Sequence, residues 1–82
     1  MYEIVGIRRV DYVSKKTQKP VKGYEVHFLY DSPEGVEGYE GRMSDLVFVN
    51  DSVFTSSGIA VGSIARPVYN KFGRCEGFVE EI

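Results

Sequence analysis

The chain has no tryptophan, one cysteine, one histidine and three prolines among 82 residues. The single cysteine, Cys75, rules out an internal disulfide and suits a reducing cytoplasm. One histidine, His27, with one distant cysteine is too few for a zinc site. No Gly-rich phosphate cradle follows a strand, and no general base stands near Cys75 to activate a thiolate. These absences leave no constellation for nucleophilic, metal or nucleotide chemistry, so the residues point away from an enzyme and imply no cofactor. No apolar run approaches membrane-span length, so no membrane partner is expected. The opening MYEIVGIRR lacks both a charged leader and a small-residue cleavage site, so it does not read as a signal peptide. No stretch keeps apolar residues at helical spacing over three turns.

What is present is a marked separation of charge. Met1 to Tyr24 holds six basic residues (Arg8, Arg9, Lys15, Lys16, Lys19, Lys22) against Glu3 and Asp11. Glu25 to Ala60 holds Arg42 alone against Glu25, Asp31, Glu34, Glu37, Glu40, Asp45 and Asp51. The formal net charge of −2 conceals this asymmetry. Acidity over the whole chain departs from the basic footprint usual in nucleic-acid binders. Residues 1–82 read as one domain, small enough that a dimer would help its stability.

Nine glycines punctuate short segments rich in Val, Ile, Tyr and Phe. That pattern is all-β. Tyr2 to Val13 reads as a strand with a bulge at Gly6. The polar, basic SKKTQKPVK at Ser14 to Lys22 reads as a hairpin loop. Gly23 to Tyr30 alternates, with Tyr24, Val26, Phe28 and Tyr30 on one face and Glu25 and His27 on the other. Asp31 to Gly35 reads as a turn, with Pro33 setting φ. Val36 to Val49 reads as a long or broken strand ending in a buried run at Leu46 to Val49. Asn50 to Ile59 reads as a compact connection with room for one helical turn. Ser63 to Tyr69 and Arg74 to Glu81 form a last hairpin about Asn70 to Gly73, with Gly73 in the left-handed position and Pro67 at an edge or bulge. Five strands in this order match an OB-like Greek-key barrel, and an SH3-like barrel is the structural rival. In an OB-fold the loops between strands 1–2 and 4–5 flank the binding face; here they are SKKTQKPVK and NKFGR, both basic.

The segments VDYVSKKTQKPVKGYEVHF and VGSIARPVYNKFGRCEGF resemble small phage and mobile-element proteins of Gram-positive bacteria. Some of those resemble the OB-fold gene V-type single-stranded DNA-binding proteins of filamentous phage. The likeness rests on a basic loop followed by glycine and a Val-Gly turn ahead of an aromatic hairpin. It implies a homodimer that coats single strands cooperatively through loop lysines, arginines and exposed aromatics. The acidic middle segment departs from that pattern.

The candidate nucleic-acid contacts follow from chemistry. Lys15, Lys16, Lys19 and Lys22 on one loop, and Lys71 and Arg74 on the other, suit phosphate. Phe72, at a turn tip between two cations, suits base stacking, as do Tyr24 and Tyr69. The plain reading of the lysines is a solvated hairpin tip, and of Phe72 a side chain folded back on the sheet or a dimer contact. Tyr12, Tyr30, Tyr39 and Phe78 complete the aromatic pool, while Phe28, Phe48 and Phe54 are assigned to the core. Arg8 and Arg9 point to opposite faces of a regular strand, so one at most faces a given groove. Arg42 is expected in an ion pair, and His27 and Cys75 as ordinary sheet residues. The acidic residues read as a solvated rim. The expected partner is single-stranded DNA, with RNA not distinguished. The alternative is a protein-interaction or assembly module that uses the acidic face and the apolar stripe at Leu46 to Phe54.

Overall fold

The computed structural model describes residues 1–31, 38 and 40–81. The turn expected at 31–35 is described only at Asp31, and Glu34, Glu37 and Tyr39 lie outside the described residues. Five strands and one short helix follow in the order β1 (Tyr2–Val13), β2 (Pro20–Asp31), β3 (Arg42–Asn50), α1 (Asp51–Ser57), β4 (Ala65–Tyr69) and β5 (Cys75–Glu80). The fold is mostly β, as the alternation requires. β1, β2 and β3 form one antiparallel sheet and β4 and β5 a second. A single bridge between Glu3 and Ile64 joins them, supported by the Ile4 amide donating to the Ser63 carbonyl at 2.9 Å. β5 lies against β3, but no ladder joins them among the described residues, so the sheets do not close into a barrel.

Alternation on three registered strands sorts the side chains onto two faces. Ile7 opposes Val26, which opposes Val47; Tyr24 opposes Val49. This inner face carries the core of Ile4, Val26, Phe28, Val49, Ile59 and Ala65. The register shifts between Ile4 and Gly6, a bulge where glycine was expected to mark one.

The element boundaries differ from expectation for local reasons. β2 begins at Pro20, so Pro20 and Lys22 belong to the strand and not to the loop. Ser14 donates to the Lys19 carbonyl at 3.0 Å, so its amide faces the β2 side of the hairpin. By alternation the nitrogen of Pro20 faces away from β1, where no ladder bond is lost. β3 begins only at Arg42 because Gly41 has φ +90, which interrupts extended backbone. The connection after β3 holds a seven-residue helix, about two turns rather than one. The Asn50 side chain caps it by accepting from the Val53 amide at 2.8 Å, and Gly58 ends it at φ +67. Asn50→Ala is expected to lower stability by about 1 kcal/mol, measured as a shift in the urea midpoint.

Phe48 and Leu46 do not enter the core. Val47 and Val49 do, so the residues between them face outward, with Leu46 47% and Phe48 45% exposed. Gly23 sits beside this outward ring. A Cβ there would stand 2.6 Å from Phe48 Cζ and 2.2 Å from the Val49 carbonyl oxygen. Backbone cannot give way as a flexible side chain can. Gly23→Ala is therefore expected to destabilise by at least about 1 kcal/mol, read by thermal or urea unfolding.

Candidate nucleic-acid interface

The outer face of the three-stranded sheet carries Arg8, Val10 and Tyr12 from β1, Val21, Glu25 and His27 from β2, and Leu46 and Phe48 from β3. This follows from the rows Arg8–Glu25–Phe48 and Tyr12–Val21. Among the hollows that open here, two meet at Phe48. One, of about 620 Å³, runs between Leu46, Phe48 and Asn50 of β3 and Tyr69, Arg74 and Cys75 of the β4–β5 hairpin. The other, of about 500 Å³, lies among Arg8, Val10, Tyr12, Val21, Glu25 and Phe48. Phe48 lines both. It is the joint of one continuous surface leading from the β4–β5 hairpin towards the β1–β2 hairpin.

The β4–β5 turn is built by Asn70. Its side-chain oxygen accepts from the Phe72 amide at 2.9 Å and the Arg74 amide at 3.1 Å. Its backbone amide donates to the Arg74 carbonyl at 2.9 Å, and Gly73 takes φ +80. The turn holds Phe72 away from the sheet, 77% exposed, with Lys71 Nζ 5.1 Å from its ring centroid. Phe72 thus does not fold back.

The cations divide into two groups. Arg9 pairs with Asp51, Arg8 approaches Glu25 at 3.9 Å, and Arg42 reaches Glu3 at 3.0 Å and Asp31 at 4.0 Å. Among the described residues, Lys15, Lys16, Lys19, Lys22, Lys71 and Arg74 have no carboxylate within ion-pairing distance. All six are exposed. Arg9 and Arg42 are held by carboxylates and Arg8 only approaches one, whereas among the described residues the cations of the two loops, Lys22 at the start of β2 and Arg66 of β4 show no such pair.

Tyr24 is engaged elsewhere. Phe54 of α1 stacks on it with ring centroids 3.9 Å apart, and the Arg9 guanidinium lies 5.0 Å over the same ring. It faces the core side, not the outer surface. Tyr69 is 47% exposed and lines the larger hollow; its phenol is pushed up from the usual range, first by burial and then by the neighbouring Cys75. Arg8 and Arg9 do point apart: Arg8 outward, Arg9 inward to Asp51. The Asp51 contact raises the Arg9 guanidinium's pKa. His27 Nε2 lies 2.7 Å from Glu25 Oε1. Cys75 opens β5, half-buried, donating to the Gly77 carbonyl at 3.3 Å; burial pushes its thiol up, which slows its reactions. Among the described residues no cluster of His, Cys, Asp and Glu could hold a metal, and no helix is long and apolar enough to cross a membrane.

The structure brings Phe48, assigned to the core from sequence, onto this outer surface, with Arg8 and Tyr12 on the same face. The signal for Phe48 was present: Val47 and Val49 cannot both be buried on one strand unless Phe48 faces the other way. Compared with protein-family models, curated proteins and solved structures, the chain matches none.

Proposed function

We propose that the chain is a non-catalytic single-stranded DNA-binding protein of OB-like architecture. The observation that carries this reading is Phe48, half-exposed where two hollows meet, with Arg8 beside one and Arg74 beside the other. A flat aromatic in a shallow groove with cations along it suits unpaired bases, because every base has a face to stack while its phosphates take the cations. Duplex DNA keeps its bases stacked inside and offers Phe48 and Phe72 nothing. Lys15, Lys16 and Lys19 extend the cationic path at one end, and Lys71 and Arg74 at the other; Lys22, two residues before Tyr24 on β2, stands on the core side opposite Asp11 and not on this path. Glu25 is the one acidic side chain beside Phe48 on β2, and Arg8 lies 3.9 Å from it, which tempers its repulsion of phosphate.

The order β-β-β-α-β-β supports the OB-like reading, as does β1 meeting β4 while β5 lies against β3. The outer face of strands 2–3 with loops 1–2 and 4–5 is where an OB-fold binds oligonucleotides, and the two hollows lie there. The phage or mobile-element origin is supported by the sequence resemblance. Amide NMR spectra titrated with oligo-dT test the placement. Shifts are expected at Tyr12, Leu46 to Phe48 and Lys71 to Arg74, with α1 unmoved. Shifts confined to the acidic residues, or none, would overturn it.

A further inference from the structure

β1 is the edge of its sheet. After the bridge at Glu3, no described residue pairs with its free side from Gly6 to Val13. Long unguarded edges are templates for another strand. Beyond its bulge this one carries no proline and no lysine, its charges at Arg8, Arg9 and Asp11 are of both signs, and Val10, Tyr12 and Val13 stand on it, with Tyr12 56% and Val13 63% exposed.

The register shows which backbone groups are free. Ser14 donates to Lys19, so Ser14, Tyr12, Val10 and Arg8 turn their amides and carbonyls towards β2. Ile7, Arg9, Asp11 and Val13 turn theirs outward. On the other side of the bulge Ile4 does the same: it donates to Ser63 and accepts from Gly62 at 2.8 Å.

We propose that Ile7–Val13 pairs antiparallel with the same segment of a second copy, about a two-fold axis through Val10. Charge complementarity selects this register. A two-fold pairing that keeps both cores on the same side of the joined sheet must centre on one residue. Centred on Arg8, Arg9 or Asp11, it places like charges directly opposite each other. Centred on Val10, it sets Arg9 against Asp11 of the second copy, Asp11 against Arg9, Ile7 against Val13 and Arg8 against Tyr12. The Arg9–Asp11 and Ile7–Val13 pairs are the ones whose free amides and carbonyls face each other, so each exchanges two hydrogen bonds. Arg9, held by Asp51 and 4.0 Å from its own Asp11, faces an opposite charge across the strands instead of a like one, and the cation of Arg8 meets the Tyr12 ring. The contact is isologous and closes at two copies. It makes the outer faces of both sheets one surface and rests on no assumption about nucleic acid.

The test is cysteine cross-linking in a Cys75→Ser background, with sedimentation velocity on the unaltered chain. Val10 would lie opposite its own counterpart in a non-hydrogen-bonded pair, with Cα atoms about 4.5 Å apart, within disulfide reach. Tyr12 would lie about 13 Å further along from its counterpart, out of reach. The chain is expected to sediment at twice its 9.2 kDa mass. Val10→Cys is expected to form a covalent dimer on mild oxidation and Tyr12→Cys to stay monomeric on reducing-free gels. Asp11→Lys, which puts a cation opposite Arg9, is expected to raise the dimer dissociation constant about tenfold or more. A monomer at the highest soluble concentration overturns the proposal. So does a dimer that Asp11→Lys leaves intact and Val10→Cys does not link.

Discussion

Replacing Lys15, Lys16 and Lys19 together by glutamine is expected to flatten the salt dependence of oligo-dT binding more than any other change in this chain. A cation that neutralises a phosphate releases counterions, and each such contact contributes about 0.7 to the slope of log affinity against log salt on single strands. Three contacts contribute about 2.1, or a factor of about 18 in the affinity lost over a fourfold rise in salt. The effect is large because these side chains have no internal partner among the described residues. For the same reason stability should hardly change, since exposed charges without fixed partners contribute little to folding. Titrations at several salt concentrations, with far-UV circular dichroism on the variant, check both halves. An unchanged slope would mean that the loop is only a solvated hairpin tip. Arg9→Gln makes the contrast: its guanidinium is held by Asp51 and lies over Tyr24, so its loss should lower stability more than the slope.

Phe48→Ala is the second large effect. Loss of one stacking aromatic costs about 1–3 kcal/mol per base, a factor of about 5 to 150 in affinity. The ring is half-exposed and outside the core, so the folded state should persist, unlike the case of the fully buried Phe28. Phe48→Tyr keeps a stacking face and should keep most of the affinity. Anisotropy titrations of wild type and both variants separate the outcomes. Equal losses for alanine and tyrosine would point to packing rather than stacking, and no loss for alanine would remove Phe48 from the interface.

The sequence carried the architecture where alternation was clean. Tyr24, Val26, Phe28 and Tyr30 repeat at every second residue, and β2 follows them. Gly73 marks the left-handed turn because few other residues suit its backbone, and Gly6 stands at the bulge of β1. Phe72 was legible as an exposed tip, since a turn closed by Gly73 leaves it no surface to fold against. The third strand was read as long or broken over Val36 to Val49; its described part begins at Arg42, after Gly41 at φ +90, and a glycine inside an apolar pattern gives no sign of its φ. The helix is longer than the one turn the sequence allowed for, because its stability comes from an asparagine cap and two half-buried side chains, Val53 and Phe54, not from periodicity.

The site was half legible for a related reason. Loop cations and a tip aromatic announce themselves in sequence. Phe48 does not, because Leu46-Val47-Phe48-Val49 looks equally apolar throughout and only pairing decides which residues face inward. The register of β2 on β3 makes that decision: Val49 meets Tyr24 inside, and Phe48 meets Glu25 outside. Tyr24 was drawn the other way. Its alternation with Val26 and Phe28 places it on the core side, where Phe54 and Arg9 engage its ring. Arg9 and Asp51 lie far apart in sequence, so pairing between strands and helix could not be read from spacing.

The central claim is that an aromatic and cationic surface on this small β protein holds unpaired nucleic acid. The most direct measurement is fluorescence anisotropy of labelled oligo-dT titrated with the protein at low and moderate salt, beside a duplex of the same length. The expected result is saturable binding to the single strand that weakens steeply with salt, with much weaker binding to the duplex. Absence of binding to the single strand at low salt, where phosphate contacts are strongest, would contradict the claim and turn attention to the acidic residues as a surface for a protein partner.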